Sequence, residues 1–107
     1  MDNKDFAAAL ESAAATAFAY AQANAEGHWY PCGFVWMTYQ CRKNAKVAKV
    51  LLNDGWRWDD YEKAYTLTMS RFTNSQSMDY KAGIARAYLN SLQCAGMDGF
   101  SFRERID

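Results

Sequence analysis

Apolar residues are unevenly spread along this chain. The densest run, residues 31–39 (Pro-Cys-Gly-Phe-Val-Trp-Met-Thr-Tyr), has two alternating faces that are both largely apolar. Phe34, Trp36 and Thr38 fall on one face and Val35, Met37 and Tyr39 on the other, the pattern of a central strand covered on both sides. Upstream, residues 5–25 are dominated by alanine, the strongest helix former. Phe6, Leu10, Ala13, Ala17 and Tyr20 make one thin stripe there at helical spacing, capped by Asp2 or Asn3 and ended before Gly27.

Downstream, the spacing predicts a second helix over about 42–53. Val47, Val50 and Leu51 form its apolar side, Arg42, Lys46, Lys49 and Asn53 the opposite one, and Asp54-Gly55 is the stop signal. Residues 56–61 (Trp-Arg-Trp-Asp-Asp-Tyr) read as a loop or short helical turn. Over 64–70, Tyr65, Leu67 and Met69 alternate with Thr66, Thr68 and Ser70, a half-exposed strand. Ser77, followed by Asp79 in the first turn, caps a third helix that runs to Cys94 or Ala95 and stops at Gly96. Its apolar sector holds Ile84, Ala85, Tyr88, Leu89 and Leu92. Lys81 projects from within that sector, where a lysine is expected to snorkel outward. Residues 100–103 form a last short strand, with 104–107 as its continuation or tail.

The order is α-β-α-β-α-β without an internal repeat. This predicts one domain over 1–107, of the α+β class with α/β as the alternative, in which a three-stranded sheet packs against helices.

Composition adds an aromatic core, since Phe, Trp and Tyr make up 16% of the 107 residues. Lys+Arg and Asp+Glu balance at 12 each, which argues against a general polyanion binder and against an acidic mimic of nucleic acid, so any charge-led function is local. Three cysteines without paired spacing, and no basic start followed by an apolar run, predict a reducing cytoplasm. No apolar run approaches the ~20 residues that cross a bilayer.

Three pieces of the chain carry a resemblance: Cys32-Gly33-Phe34-Val35-Trp36, Gln76-Ser77-Met78-Asp79-Tyr80-Lys81, and the terminal Arg105-Ile106-Asp107. Together they resemble a family of small uncharacterised tailed-bacteriophage proteins with a Cys-Gly-Phe-Ala-Trp-like strand, a Gln-Ser-Met-x-x-Lys-Glu-Ala helix entry and a Ser-Arg-Leu-Asp-like end. Ala82-Gly83 stands where that family has Glu-Ala, and Glu104 and Ile106 where it has Ser and Leu. The resemblance implies a phage origin, hence action in the host cytoplasm, and no assigned activity.

His28, Cys32 and Cys41 form the one grouping that suggests metal ligation. A structural zinc site takes four ligands and a close Cys pair, which is missing, and the distant Cys94 would have to complete the set. No metal or other cofactor is therefore expected. A Cys nucleophile has only His28 as a base, and no catalytic constellation emerges, so the chain reads as a non-enzymatic binder.

Three binding surfaces compete. The first is a protein-docking patch of Trp56, Arg57, Trp58 and Tyr61, aromatic and arginine residues of the kind that anchor interfaces; it fits an accessory protein that engages a host or defence protein. Homodimerisation through the alanine seam or an exposed edge strand belongs to the same class. The second is single-stranded nucleic-acid binding through Arg42, Lys43, Lys46 and Lys49 beside the two tryptophans. The third is an anion or nucleotide pocket of Ser75, Gln76, Ser77 and Lys81 at the start of the third helix.

Overall fold

The computed structural model describes residues 3–24 and 33–106. Its elements are α1 (Asn3–Ala23), β1 (Gly33–Tyr39), α2 (Ala48–Asn53), β2 (Arg57–Asp59), β3 (Ala64–Thr68), a 3₁₀ turn (Met69–Arg71), α3 (Met78–Cys94) and β4 (Phe100–Ile106). The class is α+β, as the sequence predicts, but the sheet has four strands where three are expected. They run in the order β2-β3-β1-β4, and every neighbouring pair is antiparallel. From β1 onward the connectivity β-α-β-β-α-β, with β1 between two strands that come later in the chain, is a split β-α-β arrangement preceded by an extra helix.

The added strand is β2. It comes from the segment read as a loop, because three residues are too few for a period-2 signal. Asp59 closes it: its Oδ1 accepts from the amides of Tyr61 (2.8 Å) and Glu62 (3.0 Å), which folds the chain back into β3.

The second helix is also shorter than predicted, starting at Ala48 instead of Arg42. Ahead of it, Lys43 gives its carbonyl to the Tyr65 hydroxyl and Lys46 gives its carbonyl to Asn3 Nδ2 (3.3 Å), and the chain there runs in turns.

The stop signals act as predicted and do more than stop. At α2, Gly55 (φ +100) donates to Leu52 O and Trp56 donates to Leu51 O; at α3, Gly96 (φ +78) donates to Gln93 O and Met97 to Leu92 O. Both are Schellman ends, in which the residue after the glycine packs back onto the helix. They send Trp56 and Met97 into the core beside Leu51 and Leu92. Trp56 is completely buried, against Tyr88 and Phe100.

The core lies on one side of the sheet. Val35 and Met37 of β1, Tyr65 and Leu67 of β3, and Phe100 of β4 meet Phe6, Leu10, Ala13 and Ala17 of α1 and Ile84, Tyr88 and Leu92 of α3. Alanines along α1 allow α3 a close approach. The expectation that β1 is covered on both faces is corrected here. Helices cover the Val35/Met37 face, while on the other Phe34 is 45% exposed and Trp36 half-buried.

Candidate functional site

Cross-strand register lays out the uncovered face in rows, since residues directly opposite share a face. Phe34 sits beside Arg105; Trp36 lies between Arg103 and Thr68; Thr38 lies between Ser101 and Thr66, with Arg57 beyond. The Thr38 and Ser101 hydroxyls, 2.8 Å apart, confirm that these side chains point the same way.

The turn between β2 and β3 returns over the far end of this face. Glu62 Oε2 reaches across β3 and β1 to accept from Arg103 Nε at 2.7 Å, and Thr38 and Ala64 beneath are fully buried. The Phe34 and Trp36 end stays uncovered, and a groove of about 1110 Å³ lies over it. Asp59, Tyr61 and Glu62 form one wall, residues 73–76 with Lys81 the other, and Arg103 and Arg105 the rim. Tyr61 stands almost free in solvent at 93% exposure.

Phe34 is the best-defined element of the groove. Arg105 Cζ lies 5.2 Å and Lys81 Nζ 5.8 Å from its ring centroid, so two cationic groups flank a half-exposed aromatic face. Lys81 does not snorkel. It is 8% exposed, and its Nζ donates to the Gly33 carbonyl, where β1 begins. The lysine meets a backbone acceptor inside the fold, which stabilises its burial without a carboxylate.

Local hydrogen bonds shape the wall opposite the turn. Thr73 Oγ1 accepts from Ser75 N (3.0 Å), Ser75 Oγ from Ser77 N (3.1 Å), and Ser77 Oγ caps α3 by accepting from Tyr80 N (3.3 Å). Gln76 O accepts from Gly33 N (3.2 Å), tying this connector to β1. These hydroxyls serve the backbone of the connector and the helix cap.

The structure therefore regroups the sequence candidates. Tyr61 from the docking patch and Ser75, Gln76 and Lys81 from the anion set share one groove, whereas Ser77 is buried as a cap. Trp56 cannot anchor a partner, because the Schellman turn buries it. Trp58 is half-buried, stacked edge-on against Tyr65 (5.2 Å) on the helical side, with its Nε1 donating to Asp60. Arg57 stays exposed and lines a smaller hollow of about 330 Å³ with Arg71. Arg42, Lys43, Lys46 and Lys49 are exposed, but on the turns before α2 and on its first turn; they line neither cavity and form no helical stripe.

Sequence reasoning passed over Phe34, Trp36, Arg103 and Arg105 as binding residues. The signal was the i, i+2 spacing of each pair, which puts both members on one face once each segment is a strand.

Of the sulfur candidates, His28 and Cys32 lie outside the described residues. Burial pushes the Cys41 thiol up, which disfavours the thiolate a nucleophile needs, and Cys94 is an exposed free thiol. Among the described residues no three His, Cys, Asp or Glu side chains group to hold a metal, and no helix is long and apolar enough to cross a membrane. No protein-family model, curated protein or solved structure matches this chain.

Proposed function

We propose that the protein is a non-enzymatic binder of single-stranded nucleic acid and that the open sheet face, instead of the basic turns before α2, is its binding surface. The observation that carries this reading is the pair Phe34 and Trp36, two residues apart on an inner strand, left unburied on the one face the helices do not cover. Bases stack on such rings whatever their identity, at about 1–3 kcal/mol each. Arg105, exposed at the rim beside Phe34, offers positive charge to a phosphate, and the buried Lys81 adds to the positive field on the other side of the ring. A chain of zero net charge suits a short footprint of few phosphates. The phage setting implied by the resemblance in the sequence, with action in the host cytoplasm, belongs to the same proposal.

The test is fluorescence anisotropy with a labelled oligothymidylate of about a dozen nucleotides. Binding should weaken five- to a hundredfold, roughly, for Phe34→Ala and again for Trp36→Ala. Affinity should fall with salt at a log–log slope of about −2, the value for some three phosphates on a single strand. No binding at low salt, or undiminished binding by the double variant, rejects the reading. Lys46→Glu/Lys49→Glu should change little, which separates the sheet face from the basic turns.

A second reading is docking of a host or defence protein on the same groove, favoured by the exposure of Tyr61, which lines the groove together with Arg103. Capture from host lysate that is lost with Tyr61→Ala but kept with Phe34→Ala would favour it. A nucleotide-sequestering pocket at Ser75, Gln76 and Lys81 differs from both in being saturated by a mononucleotide.

A further inference from the structure

Among the described residues, the outer edge of β4 is a second unpartnered surface. Seven residues long, it borders the sheet among the described residues, and Ser101, Arg103, Glu104, Arg105 and Ile106 are all exposed. An edge of that length offers a row of backbone donors and acceptors to another strand. Its side chains decide which strand. Ser101, Arg103 and Arg105 point to the open face, Phe102, Glu104 and Ile106 to the helical side.

A second copy fits poorly. A two-fold dimer through this edge keeps both sets of helices on one side, so only residues of like parity face each other. The longest such register, centred on Arg103, sets Arg103 against itself. Shifting the centre to Glu104 opposes the two Glu104 carboxylates and puts Arg103 against Arg105. Only shorter registers, centred on Phe102 or Ser101, avoid like charges, and both leave Arg105 and Ile106 unpaired. Like charges directly opposite destabilise a strand pair.

We propose that the edge is instead a docking site for an extended acidic segment of another protein. Such a segment adds a fifth strand, with Asp or Glu at alternate positions facing Arg105, which carries no ion pair among the described residues, and Arg103, whose guanidinium it shares with Glu62, and with apolar residues facing Phe102 and Ile106. The proposal stands on the backbone edge and its register; it shares Arg103 and Arg105 with the rim of the groove, so its test reads peptide preference and β4 amide protection instead of oligonucleotide binding.

The probe is a labelled alternating Val–Glu peptide of about ten residues, long enough to cover the edge, with an alternating Val–Lys peptide as control. The Val–Glu peptide should bind tighter by roughly tenfold or more, and the β4 amides should gain protection from hydrogen exchange. Arg103→Glu/Arg105→Glu, checked for folding by circular dichroism, should invert the preference towards Val–Lys, which a merely destabilised edge would not do. Equal binding of both peptides, binding of neither, or an unchanged preference in the double variant overturns the proposal. So does a solution dimer that Arg103→Glu dissociates, which would assign the edge to a second copy.

Discussion

The two faces of β1 are made from similar residues and have opposite fates. Val35 and Met37 are sealed under α1 and α3, while Phe34 and Trp36, larger and as apolar, look onto an open groove. Apolarity alone does not place a residue in the core; it does so where another element arrives to cover it. The N-terminal helix α1 and the crossover helix α3 deliver that cover on one side of the sheet, and on the other the β2–β3 turn covers only the Thr38 end. What remains bare is an aromatic surface rimmed by arginine, whose exposed part adds little to folding stability and is the surface on which the proposed binding rests.

The sharpest way to break this comparison is to truncate both faces. Met37→Ala empties a fully buried site and should cost about 2–5 kcal/mol in chemical denaturation. Phe34→Ala should cost under about 1 kcal/mol, because its ring is half in water already. Equal losses for the two would mean that the open face is core after all. A large loss of oligonucleotide binding in Phe34→Ala without loss of stability would sharpen the contrast.

Gly33 tests where the faces meet. A Cβ there would stand 2.8 Å from the Arg105 carbonyl and 2.8 Å from Met78 Sδ. The backbone contact cannot yield easily, so Gly33→Ala should destabilise by about 1–3 kcal/mol. It should also disturb Lys81, whose Nζ is held by the Gly33 carbonyl. A neutral Gly33→Ala in thermal denaturation would show that the start of β1 is looser than its contacts imply.

These contrasts also mark what the chain made legible. α1, β1 as an inner strand, the alternation in β3 and the cap and stop of α3 are local signals, readable as period and punctuation. Three things were not local. The Trp56 side chain follows a Schellman turn whose glycine is visible but whose inward reach depends on Leu51 being in the core. The turns over 42–47 depend on Tyr65 and Asn3, distant in sequence, taking carbonyls a helix would use. The groove needs β4 placed beside β1, which brings Arg103 and Arg105 to Trp36 and Phe34 across a sequence separation that no pattern reports.

The covered face makes a pH prediction as well. Burial pushes the Tyr39, Tyr65 and Tyr88 hydroxyls above their ordinary value near 10; the Cys41 thiol adds to the shift for Tyr39 and Tyr65, and Asp54 adds to it for Tyr88. A raised folded-state value favours the folded chain while the phenols stay neutral. That contribution is complete below pH 10 and is lost as pH rises through the folded-state values. Denaturation midpoints should therefore be set by other groups up to about pH 10 and fall above it, and Tyr88→Phe should flatten the fall. An alkaline limb unchanged in Tyr88→Phe would remove Tyr88 from the account.

The smallest expected effect concerns the turn that covers part of the open face. Glu62 is 11% exposed and pairs with an Arg103 side chain that is 54% exposed, so solvent screens the pair and its worth to stability is at most about 1 kcal/mol. Glu62→Gln keeps a hydrogen-bond acceptor for Arg103 Nε and removes one negative charge from the groove wall. Stability should hardly move, while Arg103 becomes free to meet a phosphate. If the open face binds nucleic acid, oligonucleotide affinity should rise by a few-fold and the salt slope should steepen by about 0.7, one further phosphate on a single strand. If the face binds an uncharged or basic surface instead, the same substitution should leave affinity flat or lower it. Because the fold is barely touched in either case, the sign of that change reports on the occupant of the open face and not on the integrity of the covered one.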